Sequence, residues 1–226
     1  MAMELTLDLW GVENPEEELE KVRKQALQCT ACRLAETRTN VVFGEGNPRA
    51  PLVFVGEGPG EHEDATGRPF VGRAGALLDQ ALRENGLSRK HVYICNVIKC
   101  RASIVENGRV RNRPPYADEI AACHKWLDLQ LSIIQPLVIV CLGAPAANTL
   151  IHKNFKMTQE RGIWYPCKYA KYAMATLHPA YILRQEGESY QQNYRLLVQD
   201  IAAARQKVIE AKKEPKTTPS HFPPHP

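Results

Sequence analysis

Four cysteines are spaced in a way that suits a metal centre. Cys29 and Cys32 form a Cys-x-x-Cys pair, and Cys100 and Cys123 follow later in the chain. Thiolates bind both iron–sulfur clusters and structural zinc, so the spacing alone leaves both open. The chain has seven cysteines but begins without the basic and apolar regions of an export signal, so we do not expect a disulfide framework.

Three polar residues stand where strand-like segments end. Glu57, Asn96 and His178 each lie at or just after the end of a short apolar or β-branched run. In an open parallel sheet, ligands bind beyond the carboxyl ends of the strands. A carboxylate, an amide and an imidazole would then share one crevice. Each also has a plain structural alternative, as a loop acid, a strand-end cap or a turn residue, and only their joint placement favours a site.

The elements that must position these residues alternate between strands and helices. The first strand leads into a glycine-rich acidic loop and then into a helix. Such alternation is typical of an α/β fold, and we expect three α/β/α layers around a central, mostly parallel four-stranded sheet. The predicted strands are 52–55, 92–97, 137–142 and 172–177, and the predicted helices are 14–28, 71–84, 114–134, 144–150 and 189–211.

Length and composition favour one globular unit. The 226 residues suggest a single domain over 14–211, with a loose N-terminus at 1–13 and a disordered Pro- and Lys-rich tail at 212–226. No stretch approaches the roughly 18 apolar residues of a membrane span. A cytoplasmic protein is therefore expected, and a monomer is the default.

Positive charge is concentrated in one segment. The net charge of +4 is weak evidence for a nucleic-acid partner. Residues 99–113, however, carry five Lys or Arg side chains and one acid, Glu106. We interpret this segment as a basic loop, which fits either a solvated surface or a phosphate contact.

Four motifs follow one another along the chain. They are GEGPG at 56–60, continuing to RPFVGRAG at 68–75, NVIKCR at 96–101, EIAAC at 119–123 and HPAYILR at 178–184. Their order and spacing are similar to those of the iron–sulfur (family 4) uracil-DNA glycosylases over about residues 25–205. This resemblance implies an enzyme that flips uracil out of single- or double-stranded DNA and hydrolyses the N-glycosidic bond, leaving an abasic site.

The resemblance implies roles for the base-binding residues. Phe70 would stack on the flipped uracil, and Asn96 would pair with its O4 and N3–H. His178 would donate a hydrogen bond to O2 as the leaving base becomes anionic. Glu63 would either exclude the C5 methyl group of thymine or serve as an acid at a helix N-terminus.

The resemblance leaves the general base open. Glu57 would hold the hydrolytic water or stabilise the cationic sugar. Better-known uracil glycosylases place an aspartate one position later, where this chain has Gly58. The backbone at Gly58 and Gly60 would lie close to the flipped nucleotide.

The motif after His178 would approach the DNA. Ile182 and Leu183, with Tyr181, would wedge into the gap left by the flipped nucleotide, although ordinary core packing is the alternative for the two aliphatic residues. Arg184 and Arg101 would contact phosphates.

For the cysteines, the resemblance implies that Cys29, Cys32, Cys100 and Cys123 bind one [4Fe–4S] cluster with a structural role. The remaining cysteines are set apart from this group. Cys95 and Cys141 lie in predicted strands and are expected to be buried, and Cys167 matches no family position.

Two other functions are weighed against glycosylase activity. A cluster-bearing DNA-binding or damage-sensing protein would use the same fold without cleavage. A phosphotransfer enzyme is disfavoured because the Gly-rich loop lacks the Lys-Ser/Thr of a P-loop and is acidic. The segment between Cys100 and Cys123 does not resemble the Arg-rich, His-bearing insertion of the branch that bonds covalently to DNA, so ordinary turnover is expected.

Overall fold

A computed structural model describes residues 12–214 as an α/β fold with helices on both faces of one sheet. The six strands of the main sheet are β1 (Glu45–Gly46), β2 (Leu52–Gly56), β3 (Tyr93–Asn96), β6 (Val138–Leu142), β7 (Tyr165–Cys167) and β8 (Ala170–Thr176). A separate hairpin comprises β4 (Ser103–Glu106) and β5 (Arg109–Asn112). The helices are α1 (Pro15–Leu27), α2 (Leu34–Thr37), α3 (Glu61–Thr66), α4 (Arg73–Glu84), α5 (Ala117–Ile134), α6 (Ala144–Leu150), α7 (Met157–Glu160), α8 (Pro179–Ile182) and α9 (Gly187–Lys213).

The sheet has the order β1-β3-β2-β6-β8-β7. Its central strands β3, β2, β6 and β8 are parallel and correspond to the four predicted strands. The fold class is thus confirmed, and the short antiparallel strands β1 and β7 at the two edges raise the strand number to six. These edge strands have only two and three residues, too few to show a period in the sequence.

The buried strand β2 serves both faces of the sheet. Val53 and Val55 belong to an apolar cluster that includes side chains of α1, α5 and α6. Leu52 and Phe54 point to the other face, where they join side chains of α4, α8 and α9. Alternation along a strand sends successive side chains to opposite faces, so a continuous apolar run is what a three-layer fold requires.

Strand order places a crevice at the centre of the sheet. From β2 the chain moves to β3 on one side and then returns to β6 on the other. Such a switch point, at the carboxyl ends of β2 and β6, is where open α/β sheets bind ligands. The loop after β2 begins there.

The predicted ends of the domain are only partly within the described residues. Asn14 caps α1, since its side chain accepts a hydrogen bond from the Glu17 N–H at 3.4 Å. Helix α9 continues to Lys213, so 212–213 are helical rather than part of a disordered tail. Residues 1–11 and 215–226 lie outside the described residues. Within 12–214, no helix is long and apolar enough to cross a bilayer.

The prediction that segment 99–113 is a basic loop is wrong in its structure, because most of the segment is a hairpin. It contains the hairpin β4–β5, closed by Asn107 and Gly108 with φ of 52° and 73°. This Asn-Gly pair between Val105 and Val110 is the strongest short-range hairpin signal, and the sequence analysis overlooked it.

Candidate active site

One cavity of about 360 Å³ opens at the carboxyl end of the sheet. It is lined by Glu57 and Phe70 from the loop after β2, Asn96 at the end of β3, and His178 after β8. Gly58, Gly60 and Glu63 also line it. The residues that sequence analysis placed at separate strand ends thus share one cavity.

Asn96 contributes an unpaired acceptor to this cavity. It is the last residue of β3 and only 1% exposed. Its Oδ1 atom is buried and, among the described residues, accepts no hydrogen bond. A buried polar atom without a partner costs about 1–3 kcal/mol. The side chain of a residue that lines the cavity thus carries an acceptor that no described residue uses.

Gly56 allows the amide and an aromatic ring to approach the backbone. A Cβ atom at Gly56 would overlap Asn96 Oδ1 and would lie 2.6 Å from Cζ of Phe70. Any side chain at this position would displace one of the two groups.

Phe70 has a backbone conformation that requires support. Its φ is 52°, in the left-handed region that bulky residues rarely adopt. The Arg89 guanidinium donates hydrogen bonds to the carbonyl oxygens of Pro69, at 2.8 Å, and of Phe70. Arg89 is held in turn by ion pairs with Asp79 and Glu45, at 2.8 and 2.7 Å. This clamp fixes the ring of Phe70 in the cavity wall.

The imidazole of His178 is a neutral donor. Its Nδ1 accepts a hydrogen bond from the Ala180 N–H at 3.0 Å, so the proton of the neutral ring resides on Nε2. Burial, helped by the positive charge of Arg184 and opposed by the negative charge of Glu63, lowers the pKa of His178 to about 4. The His178 ring lies 5.8 Å from that of Phe70, centroid to centroid. At neutral pH the cavity therefore holds an uncharged N–H donor beside an aromatic ring.

Glu57 is a half-buried carboxylate in the same wall. Burial raises its pKa above the ordinary value. A carboxyl group with a raised pKa is suited to exchange a proton with water or to stabilise a nearby positive charge.

Glu63 holds the glycine-rich loop in shape. Its Oε1 accepts hydrogen bonds from the N–H groups of Val71 and Gly72, both at 2.9 Å. Its Oε2 accepts one from the Gly60 N–H at 3.1 Å, at the start of α3. The geometry therefore supports the helix N-terminal role, which was one of the two weighed for Glu63. Its contact with C5 of a base stays a prediction.

Lys99 links the base of the cavity to the cysteines. Its side chain is fully buried, and Nζ donates a hydrogen bond to the backbone oxygen of Asn96 at 2.6 Å. Its backbone N–H donates to Sγ of Cys123 at 3.2 Å. Lys99 belongs to the segment predicted to form a basic loop, but its burial keeps it from contacting a phosphate. The sequence does not indicate the roles of Lys99 and Arg89, because these side chains bind backbone oxygens.

The four predicted ligand cysteines line one small cavity beside α1 and α5. Cys29, Cys32, Cys100 and Cys123 meet there with Arg38 and Lys99 at its margin. Arg38 donates a hydrogen bond to Sγ of Cys100 at 3.4 Å. Within residues 12–214, however, no three Cys, His, Asp or Glu side chains form a group that could hold a metal ion. As predicted, Cys95 and Cys141 are buried in strands.

The segment after His178 differs from its predicted arrangement. Ile182 is completely buried in the apolar cluster between α4, α8 and α9, so it is a core residue and not a surface wedge. Leu183 packs against the same cluster. Tyr181 is 41% exposed, and Arg184 is exposed too. The single turn α8 points Ile182 inward and Tyr181 outward.

Arg101 lies beside the cavity but is already bound within the protein. Its Nε donates a hydrogen bond to Asn112 Oδ1 at 2.7 Å, and its side chain is only 11% exposed. Its predicted phosphate contact would have to compete with this bond.

Titration of His178 tests the electrostatics of the cavity. We expect a pKa of about 4 for His178, well below the ordinary histidine value of about 6.5, when its ring resonances are followed by NMR. Because the folded-state pKa lies below the unfolded one, the stabilising contribution of neutral His178 is complete above about pH 6.5 and declines as the pH falls toward 4. A His178 titration midpoint at or above 6.5 would contradict the assignment.

Comparison with known proteins adds evidence independent of this geometry. Residues 43–202 match the uracil DNA glycosylase superfamily. The chain is 47% identical over 191 residues to a type-4 uracil-DNA glycosylase of Thermotoga maritima, covering 84% of this chain and 94% of the relative. It is 42% identical over 204 residues to a type-4 uracil-DNA glycosylase of Sulfurisphaera tokodaii, covering 86% and 87%.

The motifs, the parallel sheet and these similarities agree, and the matched regions include every strand end that lines the cavity. The chain therefore belongs to the type-4 family of the uracil-DNA glycosylase superfamily.

Proposed function

We propose that this protein excises uracil from DNA by flipping the nucleotide into the 360 Å³ cavity and hydrolysing its N-glycosidic bond, as the names of its relatives suggest. The observation that carries the proposal is the buried, unpaired Oδ1 atom of Asn96. Action as a monomer in the cytoplasm belongs to the same proposal.

The Asn96 amide matches one edge of uracil. Its Oδ1 would accept a hydrogen bond from N3–H, and its Nδ2 would donate one to O4. Cytosine presents the opposite pattern, an acceptor at N3 and a donor at the exocyclic N4. An amide fixed in this orientation would leave buried groups unpaired against cytosine, which is the strongest kind of discrimination available to such a site.

Phe70 and His178 would act on the same base from other sides. The Phe70 ring provides a stacking surface, held by Arg89. As the glycosidic bond breaks, electrons pass to the base and negative charge collects on O2. The Nε2–H of neutral His178 would donate a hydrogen bond to that oxygen and so stabilise the leaving anion.

Glu57 would act on the sugar side of the bond. As a carboxylate it would stabilise the positive charge that develops on the sugar, and it would hold the water that attacks C1′. Glu63 would restrict the space at C5, where thymine carries a methyl group, through the loop segment that it holds together.

Excision from an oligonucleotide with a single uracil tests this function. The protein should produce abasic sites that alkali converts to strand breaks. His178→Ala should lower the single-turnover rate by about 10²–10³-fold, because an oxyanion donor is lost. His91→Ala, on an exposed residue before β3 and away from the cavity, is the matched control and should leave the rate unchanged.

The same assay separates the glycosylase from a DNA-binding protein without cleavage. Binding to uracil-containing DNA with no strand breaks after alkali would favour the binding protein and would refute the proposed activity.

We also propose that Cys29, Cys32, Cys100 and Cys123 hold a [4Fe–4S] cluster. Their arrangement around a shared cavity supports this assignment. In a cluster each thiolate binds a different iron, whereas one zinc ion with bonds of ~2.3 Å needs its sulfurs within about 3.8 Å of one another. The two centres therefore require different spacings of the same four sulfurs.

The donors around the sulfurs fit a negatively charged group. The Lys99 N–H and the Arg38 guanidinium already point at cysteine sulfurs. Hydrogen bonds to sulfur are a common way of stabilising such clusters. When bound, the cluster would supply four iron–thiolate bonds that tie the end of α1 to α5 and to the segment after Asn96.

Metal analysis tests the cofactor. The purified protein should contain iron and acid-labile sulfide and show a broad visible absorption band. Cys100→Ser should lose that band and lower the thermal midpoint, since one ligand is removed. Cys167→Ser is the control, since Cys167 is buried in β7 away from the four-cysteine cavity and should retain the band. Stoichiometric zinc without iron would contradict the proposal.

A further inference from the structure

The hairpin β4–β5 is the most exposed ordered element beside the active-site cavity. Every residue from Ile104 to Arg111 is exposed, and the two strands form a sheet of their own. Val105 and Val110 are 70% and 55% exposed, the highest values among the large apolar residues within 12–214. A two-stranded hairpin is marginally stable in water without a surface to pack on. An exposed apolar pair on such an element indicates a contact surface.

The strand register shows which way the valines face. Val105 pairs with Val110, and Ser103 pairs with Asn112. Cross-strand partners share a face, and so do residues two positions apart along a strand. The valine pair therefore lies on the same face as Asn112.

Asn112 connects this face to the active site. It lines the cavity, and its Oδ1 accepts the hydrogen bond from Arg101 that fixes its position. Ala102, which precedes β4, lines the cavity as well. The valine face thus extends the cavity wall outward past its rim.

The opposite face of the hairpin is positively charged. On that face Arg111 pairs with Ile104, and Arg109 pairs with Glu106. Arg111 approaches Glu106 at 3.6 Å, but both side chains are more than half exposed, so this pair competes weakly with a phosphate. Among the described residues, Arg109 has no ion pair. Apolar and basic faces on one ribbon match the bases and the phosphates of DNA.

The burial of Ile182 makes the hairpin more important. With Ile182 in the core, Tyr181 is the large apolar side chain that the segment 179–184 exposes. The valine pair provides apolar surface from a different element of the fold.

We propose that hairpin 103–112 is a duplex-reading element, in which Val105 and Val110 pack against the base stack next to the extruded nucleotide while Arg109 and Arg111 contact phosphates. The inference rests on the proposed function, because it takes uracil-containing DNA as the ligand. Its contribution is specific to the duplex. In a duplex, the gap left in the base stack must stay open while the nucleotide occupies the cavity. A single strand has no paired stack in which such a gap must be held.

Comparing two substrates in one assay tests this role. The double variant Val105→Ser/Val110→Ser should lower single-turnover excision from a duplex with a central U·A pair by on the order of tenfold or more. Excision from the same single strand should change by less than about twofold, because no stack has to be held open. Fluorescence of 2-aminopurine placed next to the uracil should show less extrusion in the duplex.

Two controls keep the result interpretable. Ile104→Ser, on the basic face, should not reproduce the duplex-specific loss. Val105→Thr/Val110→Thr keeps the β-branched shape, so it separates a disordered hairpin from lost apolar contact; we expect an intermediate duplex rate. Equal loss on both substrates, or unchanged rates on both, would overturn the proposal. Failure of the wild-type protein to excise uracil from either substrate would instead refute the proposed activity itself.

Discussion

The structure depends on one constraint: an asparagine amide is held in a buried position at the end of β3 with its oxygen unpaired. No described residue donates a hydrogen bond to this oxygen, so the unpaired acceptor is unfavourable for folding. The neighbouring groups restrict the position of the amide. Gly56 leaves room for Oδ1 on one side. Lys99 fixes the backbone oxygen of the same residue from below. Favourable contacts elsewhere in the fold thus offset the unfavourable free energy of the unpaired acceptor.

The other groups of the cavity follow a similar pattern. The left-handed backbone of Phe70 is stabilised by Arg89, which donates hydrogen bonds to the carbonyl oxygens of Pro69 and Phe70. Arg89 is itself held by ion pairs with two carboxylates. His178 remains neutral because it is buried, and its tautomer is set by the Ala180 N–H. The groups that would contact the base are therefore positioned before it arrives, which is the condition for electrostatic preorganisation. The free energy needed to arrange these groups is supplied by folding and not by substrate binding.

The sequence predicted the parallel sheet and the placement of its strand ends because buried strands in this fold are continuous apolar runs, as 52–55 and 137–142 are. It could not show α3, whose sequence EHEDAT has no apolar stripe and whose start depends on Glu63 binding Gly60. The hairpin had a signal, Asn107-Gly108, within a segment dominated by its charges. The sequence left Ile182 open between a DNA-contacting wedge and a core residue, because an apolar residue within a motif does not reveal which side of a single helical turn it occupies. Arg89 and Lys99 act on backbone oxygens, whose positions only the folded chain defines.

The most direct test of the central claim is the base selectivity of Asn96→Asp, measured as single-turnover excision from matched oligonucleotides carrying uracil or cytosine at the same position. A protonated carboxyl group can accept a hydrogen bond from the N4 amine of cytosine and donate one to its N3. It therefore matches cytosine better than it matches the O4 and N3–H of uracil. The account predicts that uracil excision falls by about 100-fold or more and that cytosine excision becomes measurable. A wild-type rate on uracil with no activity on cytosine would contradict it.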